Sequence, residues 1–246
     1  MLTGRGWTDI RRTPRADLHL GALLAFVAGA ANAGGFLAVG RYTSHMTGIV
    51  SAAADSIILG HWALAAAGLA ALAMFLGGAM TTAVLVNVAR QRRMHSRYAL
   101  PLMLEALLLL AFGLLGATLN LSVALLLPVT VLLLCYMMGL QNAVITKISR
   151  ATIRTTHITG LVTDLGIELG KLVYINRSHS ATPVVADRQR MRMHGLLIGM
   201  FFVGGLFGAM GFKHLGFVTT LPLAAALMLV ALRPMLLDLR AVAGMR

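Results

Sequence analysis

Two short polar stretches interrupt long apolar runs and decide how the chain is organised. Residues 43–48 read TSHMTG and residues 155–160 read TTHITG, so both follow the pattern Thr-x-His-x-Thr-Gly. We call them motif 1 (43–48) and motif 2 (155–160). A short apolar segment carrying a carboxylate follows each motif, with Asp55 in the first and Asp164 in the second. Because a polar, histidine-containing segment is costly to place in a membrane, we expect both motifs to be functional.

The composition indicates a multi-pass membrane protein. Of the 246 residues, 58% are hydrophobic and only 12% are charged, and the mean hydropathy is +0.82. A soluble domain carries about 25% charged residues. Several apolar runs reach the roughly 20 residues that a transmembrane helix needs. The first run is too long for a cleaved signal peptide, so we expect it to be retained.

The hydropathy pattern predicts an all-α membrane protein with six transmembrane helices. The expected spans are residues 18–39, 63–89, 98–119, 123–145, 195–212 and 217–237. Two further segments, 49–59 and 160–172, are too short to cross a bilayer, and the sequence leaves open whether they are re-entrant or interfacial. An amino-terminal tail (1–17) and a carboxy-terminal tail (238–246) flank this single membrane domain.

The distribution of positive charge predicts the orientation of the chain. The net charge of +13 does not indicate nucleic-acid binding, because the basic residues lie between spans and not on one soluble surface. With six spans, all of the 21 Arg and Lys residues except Arg41 and Lys213 fall on one side. This positive-inside pattern places both termini in the cytoplasm and makes the lipid bilayer the main partner.

The two halves of the chain contain the same order of elements. Each half runs span, motif, short helix, span, span, over residues 18–119 and 120–237. Asn32 precedes His45 by 13 positions, and Asn142 precedes His157 by 15. Because three spans are an odd number, the second half must enter the membrane from the opposite side. The sequence therefore predicts inverted three-helix repeats, each with a half-helix after its first span, and a site near the membrane midplane.

The motifs contain groups suited to binding a small polar solute. Because Thr47 and Thr159 directly precede the short segments, we expect them to cap these helices. The free N–H groups of a helix amino terminus and two imidazoles that titrate near neutrality add further polar groups. The predicted substrate-binding residues are Thr43, His45, Thr47, Gly48, Thr155, His157, Thr159, Gly160, Asn32, Gln141 and Asn142. The alternatives are surface loops with ordinary caps and amides that serve helix packing.

Carboxylates within the apolar segments are candidates for proton coupling, because an ionisable group in a membrane segment marks a functional site. The predicted proton-coupling residues are Glu105, Asp55 and Asp164. Glu105 lies inside a full span, and pairing with Arg97 is its alternative role. Glu168 lies one turn after Asp164 and three residues before Lys171, so a surface salt bridge is the alternative there.

Small residues predict where helices approach each other closely. Gly195 and Gly199, and then Gly204 and Gly208, form two GxxxG pairs in the fifth span. We expect both pairs to lie at helix contacts. Such glycine-rich faces also allow a homo-oligomer.

Motifs of known enzyme and metal sites are absent from the sequence. There is no GxSxG, HExxH, CxxC or phosphate-binding loop. Two histidines without a carboxylate or thiol cluster are weak support for a metal site. We therefore expect no catalytic residue, metal or other cofactor, and we favour a protein that is not an enzyme.

The chain resembles the YoaK-like family of uncharacterised bacterial multi-pass membrane proteins (DUF1275) over about residues 18–237. The resemblance rests on residues 33–48 with Met46-Thr47-Gly48, on Glu105, on residues 138–143 (MGLQNA), and on residues 155–160 with Asp164. The family often has Asn after the first Thr-Gly, where this chain has Ile49. The resemblance implies a protein of the bacterial inner (plasma) membrane. It supplies no substrate and no catalytic residue.

These observations favour a transporter or channel for a small polar solute, with both motifs at a midplane site. One alternative is a membrane-embedded enzyme that acts on a lipid-linked substrate and holds its headgroup with the basic loops. Another is an accessory or assembly subunit, which predicts no polar interior. The substrate, the direction of transport and the coupling ion are not encoded in any recognisable motif.

Overall fold

The fold is all-helical over the part of the chain that the structure describes. A computed structural model describes residues 13–40, 42–118, 123–149, 153, 155–176 and 182–243. These residues form eight α-helices and contain no β-strand. Most of the expected amino-terminal tail, Arg41, Arg154, the hairpin at residues 119–122 and the last three residues lie outside the described part.

The eight helices follow the predicted order of spans and short segments. They are α1 (Pro14–Val39), α2 (Met46–Ile58), α3 (Trp62–Gln91), α4 (Ala99–Ala117), α5 (Val123–Ile148), α6 (Ile158–Val173), α7 (Arg188–Leu215) and α8 (Thr220–Ala243). A 3-10 turn, Gly216–Thr219, joins α7 to α8. The two short helices, α2 and α6, begin inside motif 1 and motif 2.

Five helical stretches are long and apolar enough to cross a bilayer. Four of them lie in α1, α3, α4 and α5, and the fifth is a 54-residue stretch, Arg188–Ala241, that includes both α7 and α8. The protein is therefore a multi-pass membrane protein. The apolar helix Met46–Ile58 is shorter than these five stretches.

Several helices are longer than hydropathy predicted, because local caps fix their ends. α1 begins at Pro14 instead of residue 18, since the Thr13 hydroxyl accepts a bond from the Ala16 N–H and proline suits the first helical turn. α7 begins at Arg188, where the Asp187 carboxylate accepts bonds from the N–H groups of Gln189 and Arg190. The arginines after Asp187 were expected in a loop and are helical instead.

Two long pairs of helices form the centre of the bundle. Gly21 of α1 lies against Leu197 of α7, and Gly34 lies against Phe212, so contacts advance in the same direction and these helices are parallel. In α3 and α5, a Thr82 hydroxyl donates to the Leu140 carbonyl over 2.9 Å. Gly78 lies four residues before Thr82 and contacts Tyr136, four residues before Leu140. α3 and α5 are therefore also parallel.

Glycines bring the backbones of each pair into contact at matched positions. A Cβ on Gly29 would collide with the carbonyl of Phe201, and one on Gly204 with the carbonyl of Phe26. The other pair repeats this reciprocal contact. A Cβ on Gly139 would meet the carbonyl of Phe75, and one on Gly78 would meet that of Tyr136. In all four helices, the glycine lies three residues after the residue whose carbonyl faces the glycine of the partner helix. The close contact between α1 and α7 is therefore repeated between α5 and α3.

Helices that hold the same place in the two halves run in opposite directions. In α4 and α8, Gly113 meets Thr220 near one end, whereas the Ser96 N–H reaches the Asp238 carboxylate at the other. In α1 and α5, Gly35 meets Leu134, whereas the Leu24 carbonyl accepts a bond from Gln141. Both pairs are therefore antiparallel.

Within the chain, the second GxxxG pair lies at a helix contact and the first does not. A Cβ added to Gly195 or Gly199 would have no other atom within 4 Å, so this face of α7 contacts no helix among the described residues. Gly204 and Gly208 pack on the carbonyls of α1, as expected from close approach of helices in lipid. The difference follows from the side of the helix, because Gly195 and Gly199 are exposed, whereas Leu197, Gly204 and Gly208 face α1.

Replacing Gly204 or Gly199 by alanine distinguishes the effect of helix packing on stability from the effect of helix propensity. We expect Gly204→Ala to lower the free energy of unfolding by about 1–3 kcal/mol, because the new methyl group overlaps a backbone carbonyl of α1. Gly199→Ala on the same helix is the matched control, and we expect it to be neutral or to stabilise by up to about 1 kcal/mol. Thermal unfolding of the detergent-solubilised variants measures both. Equal shifts for the two variants would contradict the assigned contact.

Candidate functional site

The two motifs form the amino termini of the short helices α2 and α6. His45 and His157 occupy the N-cap positions, and neither side chain caps its helix. The prediction that Thr47 and Thr159 are the N-caps was therefore wrong. Both threonines lie inside the first helical turn and are exposed, because each helix begins one residue after its histidine. The first turns of α2 and α6 consequently keep backbone N–H donors that no cap side chain satisfies.

The histidine rings fold over the first turns of these helices. A Cβ on Gly48 would collide with the His45 ring, and a Cβ on Gly160 would collide with the His157 ring. Glycine is thus required three residues after each histidine for the imidazole to lie there. Both histidines are exposed outside the bundle core, so their rings are accessible.

One hydrogen bond fixes each motif to the preceding long helix. The Ser44 hydroxyl donates to Asn32 Oδ1 over 3.1 Å, and the Thr156 hydroxyl donates to Asn142 Oδ1 over 2.9 Å. Asn32 and Asn142 occupy equivalent places, because each lies three residues after its close-contact glycine. The structure therefore brings the two predicted asparagines together with the motifs, one in each half.

These bonds fix each motif beside its long helix, short of the point where that helix ends. Asn32 lies seven residues before the end of α1, which is about 10 Å along the axis. Asn142 lies six residues before the end of α5, about 9 Å. The chain therefore turns back along each long helix before α2 or α6 begins.

The other motif threonines have an inward position. Thr43 is 2% exposed and Thr155 is 0% exposed, and neither hydroxyl has a hydrogen-bond partner among the described residues. The second threonine of each motif, Thr47 or Thr159, is exposed. Of the three hydroxyls in each motif, one is buried, one donates to the asparagine of the long helix and one is exposed.

Gln141 is a polar residue in the centre of the bundle that has no counterpart in the first half of the chain. It is buried, and its amide N–H donates to the Leu24 carbonyl over 3.0 Å. Its Oε1 has no partner in the described part of the chain. The residue that precedes Asn32 in the first half is Ala31, so this bridge between α1 and α5 occurs only once.

The predicted carboxylates fall into different environments. Asp55 and Asp164 are exposed on the short helices. They are not equivalent, because Asp55 follows its histidine by ten residues and Asp164 by seven. Asp55 and Asp164 remain candidates for proton coupling only because they lie on α2 and α6, since the structure brings neither of them to a motif.

Glu168 forms the surface ion pair that was the alternative interpretation of this segment. Its carboxylate lies 2.8 Å from the Lys171 ammonium and accepts a 2.7 Å bond from the Asp187 N–H. The bond from Lys171, with that from Asp187, holds the pKa of the Glu168 carboxyl below its usual value, although burial acts in the other direction. These bonds join the end of α6 to the start of α7.

Glu105 is the carboxylate that the bundle encloses completely. It is 0% exposed, and neither of its oxygens has a hydrogen-bond partner within the described ranges. The expected alternative, an ion pair with Arg97, does not form. The Arg97 guanidinium instead lies 5.1 Å from the centroid of the adjacent Tyr98 ring.

Asp238 is a structural residue that the sequence did not reveal. Its carboxylate accepts bonds from the N–H groups of His95 and Ser96 and lies 3.0 Å from the His95 ring nitrogen. It therefore satisfies N–H groups at the start of α4 from the end of α8. No local signal could have found this contact, because the partners lie about 140 positions apart.

The described residues contain no cluster of three or more His, Cys, Asp or Glu side chains that could hold a metal ion. His45 and His157 also make no hydrogen bond to a hydroxyl or thiol there, which an activated nucleophile would require. The arrangement can instead offer N–H donors, hydroxyls and imidazoles to a polar molecule.

The fold and these sites define a helical multi-pass membrane protein with two motif-bearing short helices. The family model described as "Protein of unknown function (DUF1275)" matches residues 20–233, so the chain belongs to that family. No curated protein and no solved structure matches the chain. The assignment confirms the family expected from the two motifs and the MGLQNA stretch.

A double-mutant cycle tests the bond that fixes motif 1. We expect Ser44→Ala and Asn32→Ala to show a coupling energy of about 1 kcal/mol, because each change removes the same hydrogen bond. Ser51→Ala combined with Asn32→Ala is the control, since Ser51 lies further along α2 and makes no bond to Asn32. Unfolding of the four variants in mixed micelles gives the energies. Additive effects of Ser44→Ala and Asn32→Ala would show that the bond is absent.

Proposed function

We propose that the protein is a transporter or channel for a small polar solute, with its binding site between motif 1 and motif 2. The observation that carries this proposal is the matched pair of hydrogen bonds, Ser44 to Asn32 and Thr156 to Asn142. They fix the amino termini of two short helices beside the long helices α1 and α5, one in each half. Half-helices of this kind form the midplane sites of many secondary transporters.

We further propose six spans in two inverted three-helix repeats, with α7 and α8 as separate crossings. The antiparallel directions of α1 and α5, and of α4 and α8, support this topology. So do the reciprocal glycine contacts, which pair α1 with α7 in the way that they pair α5 with α3. The positive-inside distribution of Arg and Lys favours cytoplasmic termini in a bacterial inner membrane.

The depth of the asparagines supports a site near the midplane. The bond from Gln141 to Leu24 places Asn142 near the level of Leu24, and Asn32 lies eight residues further along α1. The two asparagines are therefore separated by about 12 Å along the bundle axis. A hydrocarbon core is about 30 Å thick, so both fit within its central half.

The exposed faces of the short helices support a water-filled path beside them. Thr47 and Ser51 are exposed on α2, and Thr159 and Thr163 are exposed at the matching positions of α6. Polar groups and uncapped N–H donors at this depth are stable only where protein or water surrounds them. The two rows of hydroxyls would then line the approaches to the site from opposite sides.

The histidines provide a direct test of this function. Stopped-flow measurements on proteoliposomes would follow the entry of urea, glycerol and formate, which sample neutral and anionic solutes. For whichever solute the wild type admits, we expect the double variant His45→Ala, His157→Ala to reduce the rate by roughly tenfold, because two polar contacts are lost.

His61→Ala is the matched control for the histidine variant. His61 also occupies an uncapped N-cap position, that of α3, but lies outside both motifs. We expect this variant to keep the wild-type rate. Full transport by the double variant would remove the motifs from the mechanism, and no entry of any solute into wild-type liposomes would count against the proposed function itself.

A further inference from the structure

Glu105 has a position that suits neither packing nor a structural ion pair. It lies in the seam between α4 and α8 on one face with Leu102 and Leu109, both of which are fully buried. The contacts of Gly113 with Thr220 and of Ser96 with Asp238 place it level with Met228. A carboxylate in this apolar seam is costly, because neither oxygen has a partner among the described residues.

The other ionisable groups on the neighbouring helices do not neutralise Glu105. They are Arg233, Asp238 and Arg240 on α8, Cys135, Tyr136 and Lys147 on α5, and Arg90 on α3. None bonds to Glu105 in the part of the chain that the structure describes. Asp238 is bound to His95 and Ser96, and the Tyr136 hydroxyl donates to Thr81 over 2.6 Å.

Both ends of the α4–α8 seam are closed around Glu105. At one end Phe112 packs edge-to-face on Phe217, with ring centroids 5.6 Å apart, about 10 Å along α4 from Glu105. At the other end Asp238 caps the start of α4, about 14 Å from Glu105. Glu105 is therefore closed off from water in this conformation, and proton exchange requires the packing around it to open.

The chemistry of the seam favours a proton over a metal ion. Sodium, magnesium and calcium are held by several oxygen ligands, whereas the seam offers one carboxyl and no cluster of ligating groups among the described residues. A single carboxyl can bind one proton without further partners. Binding forms one O–H bond with a proton taken from water, and release returns that proton to water, so no co-reactant is needed.

The repeat contains this carboxyl only once. α4 begins with Leu100-Pro101-Leu102 and α8 with Leu221-Pro222-Leu223, so these stretches are at matching positions. On this alignment Ala226 takes the place of Glu105. On this alignment, the buried carboxyl at this position occurs in the first half only.

We propose that Glu105 is a proton-binding site whose proton exchange is linked to solute movement through the motif site. This inference rests on the proposed transport function for its coupling step. Proton binding itself does not depend on that function. The closed seam provides an occluded state, and separation of α4 from α8 provides access to water.

Infrared difference spectroscopy between acid and alkaline pH tests proton binding without any solute. In proteoliposomes of the wild type we expect the C=O band of a buried protonated carboxyl group, and we expect Glu105→Gln to abolish it. The exposed carboxylate variant Asp164→Asn and the double variant His45→Ala, His157→Ala should both keep the band. A band that persists in Glu105→Gln, or no such band in the wild type, would overturn the proposal.

Proton-driven uptake tests the coupling step. With the membrane potential clamped by valinomycin and potassium, an inward proton gradient should accumulate the solute that the wild type admits among urea, glycerol and formate. We expect Glu105→Gln to lose accumulation and to retain downhill exchange. Undiminished proton-driven accumulation by Glu105→Gln would overturn the coupling. Failure of the wild type to admit any of the three solutes would count against the transport function, and the infrared band would still decide proton binding.

Discussion

The hydrogen bond between each motif and the asparagine of the preceding helix is the constraint on which the interior depends. Backbone N–H and C=O groups cannot be left in lipid without partners, so an irregular turn inside a helical bundle must be tied to protein or face water. Ser44 and Thr156 supply that tie by donating to Asn32 and Asn142. These side-chain bonds hold the two motifs against α1 and α5, and the backbone N–H groups in the first turns of α2 and α6 have no capping side chain.

The glycine contacts allow this arrangement to occur twice in one chain. Gly29 and Gly204 bring α1 and α7 together, and Gly139 and Gly78 do the same for α5 and α3. Since the asparagine of each half lies three residues beyond a contact glycine, close packing sets the level at which each motif is bound. The halves differ where function would need direction, because Glu105 and Gln141 have only Ala226 and Ala31 at the corresponding positions.

Hydropathy and the repeated motif were enough to predict the membrane class, the order of the elements and the two asparagines that bond to the motifs. Sequence could not predict the helix starts, because Thr47 looks like a cap and His45 takes the position instead. It also could not decide the role of Glu105, since only tertiary packing leaves that carboxylate buried without a partner, whereas the pairing of Glu168 with Lys171 is local and was one of the sequence alternatives. Asp238 was missed because its partners are distant in sequence.

The central claim is that the two motifs enter the bundle from opposite sides of the membrane. Labelling of His45→Cys and His157→Cys with a membrane-impermeant maleimide, in a Cys135→Ala background, tests this most directly. The account predicts that the cysteine at position 45 reacts only from outside intact cells and that the cysteine at position 157 reacts only from the cytoplasmic face of inverted vesicles. Reaction of both positions from the same side would contradict it.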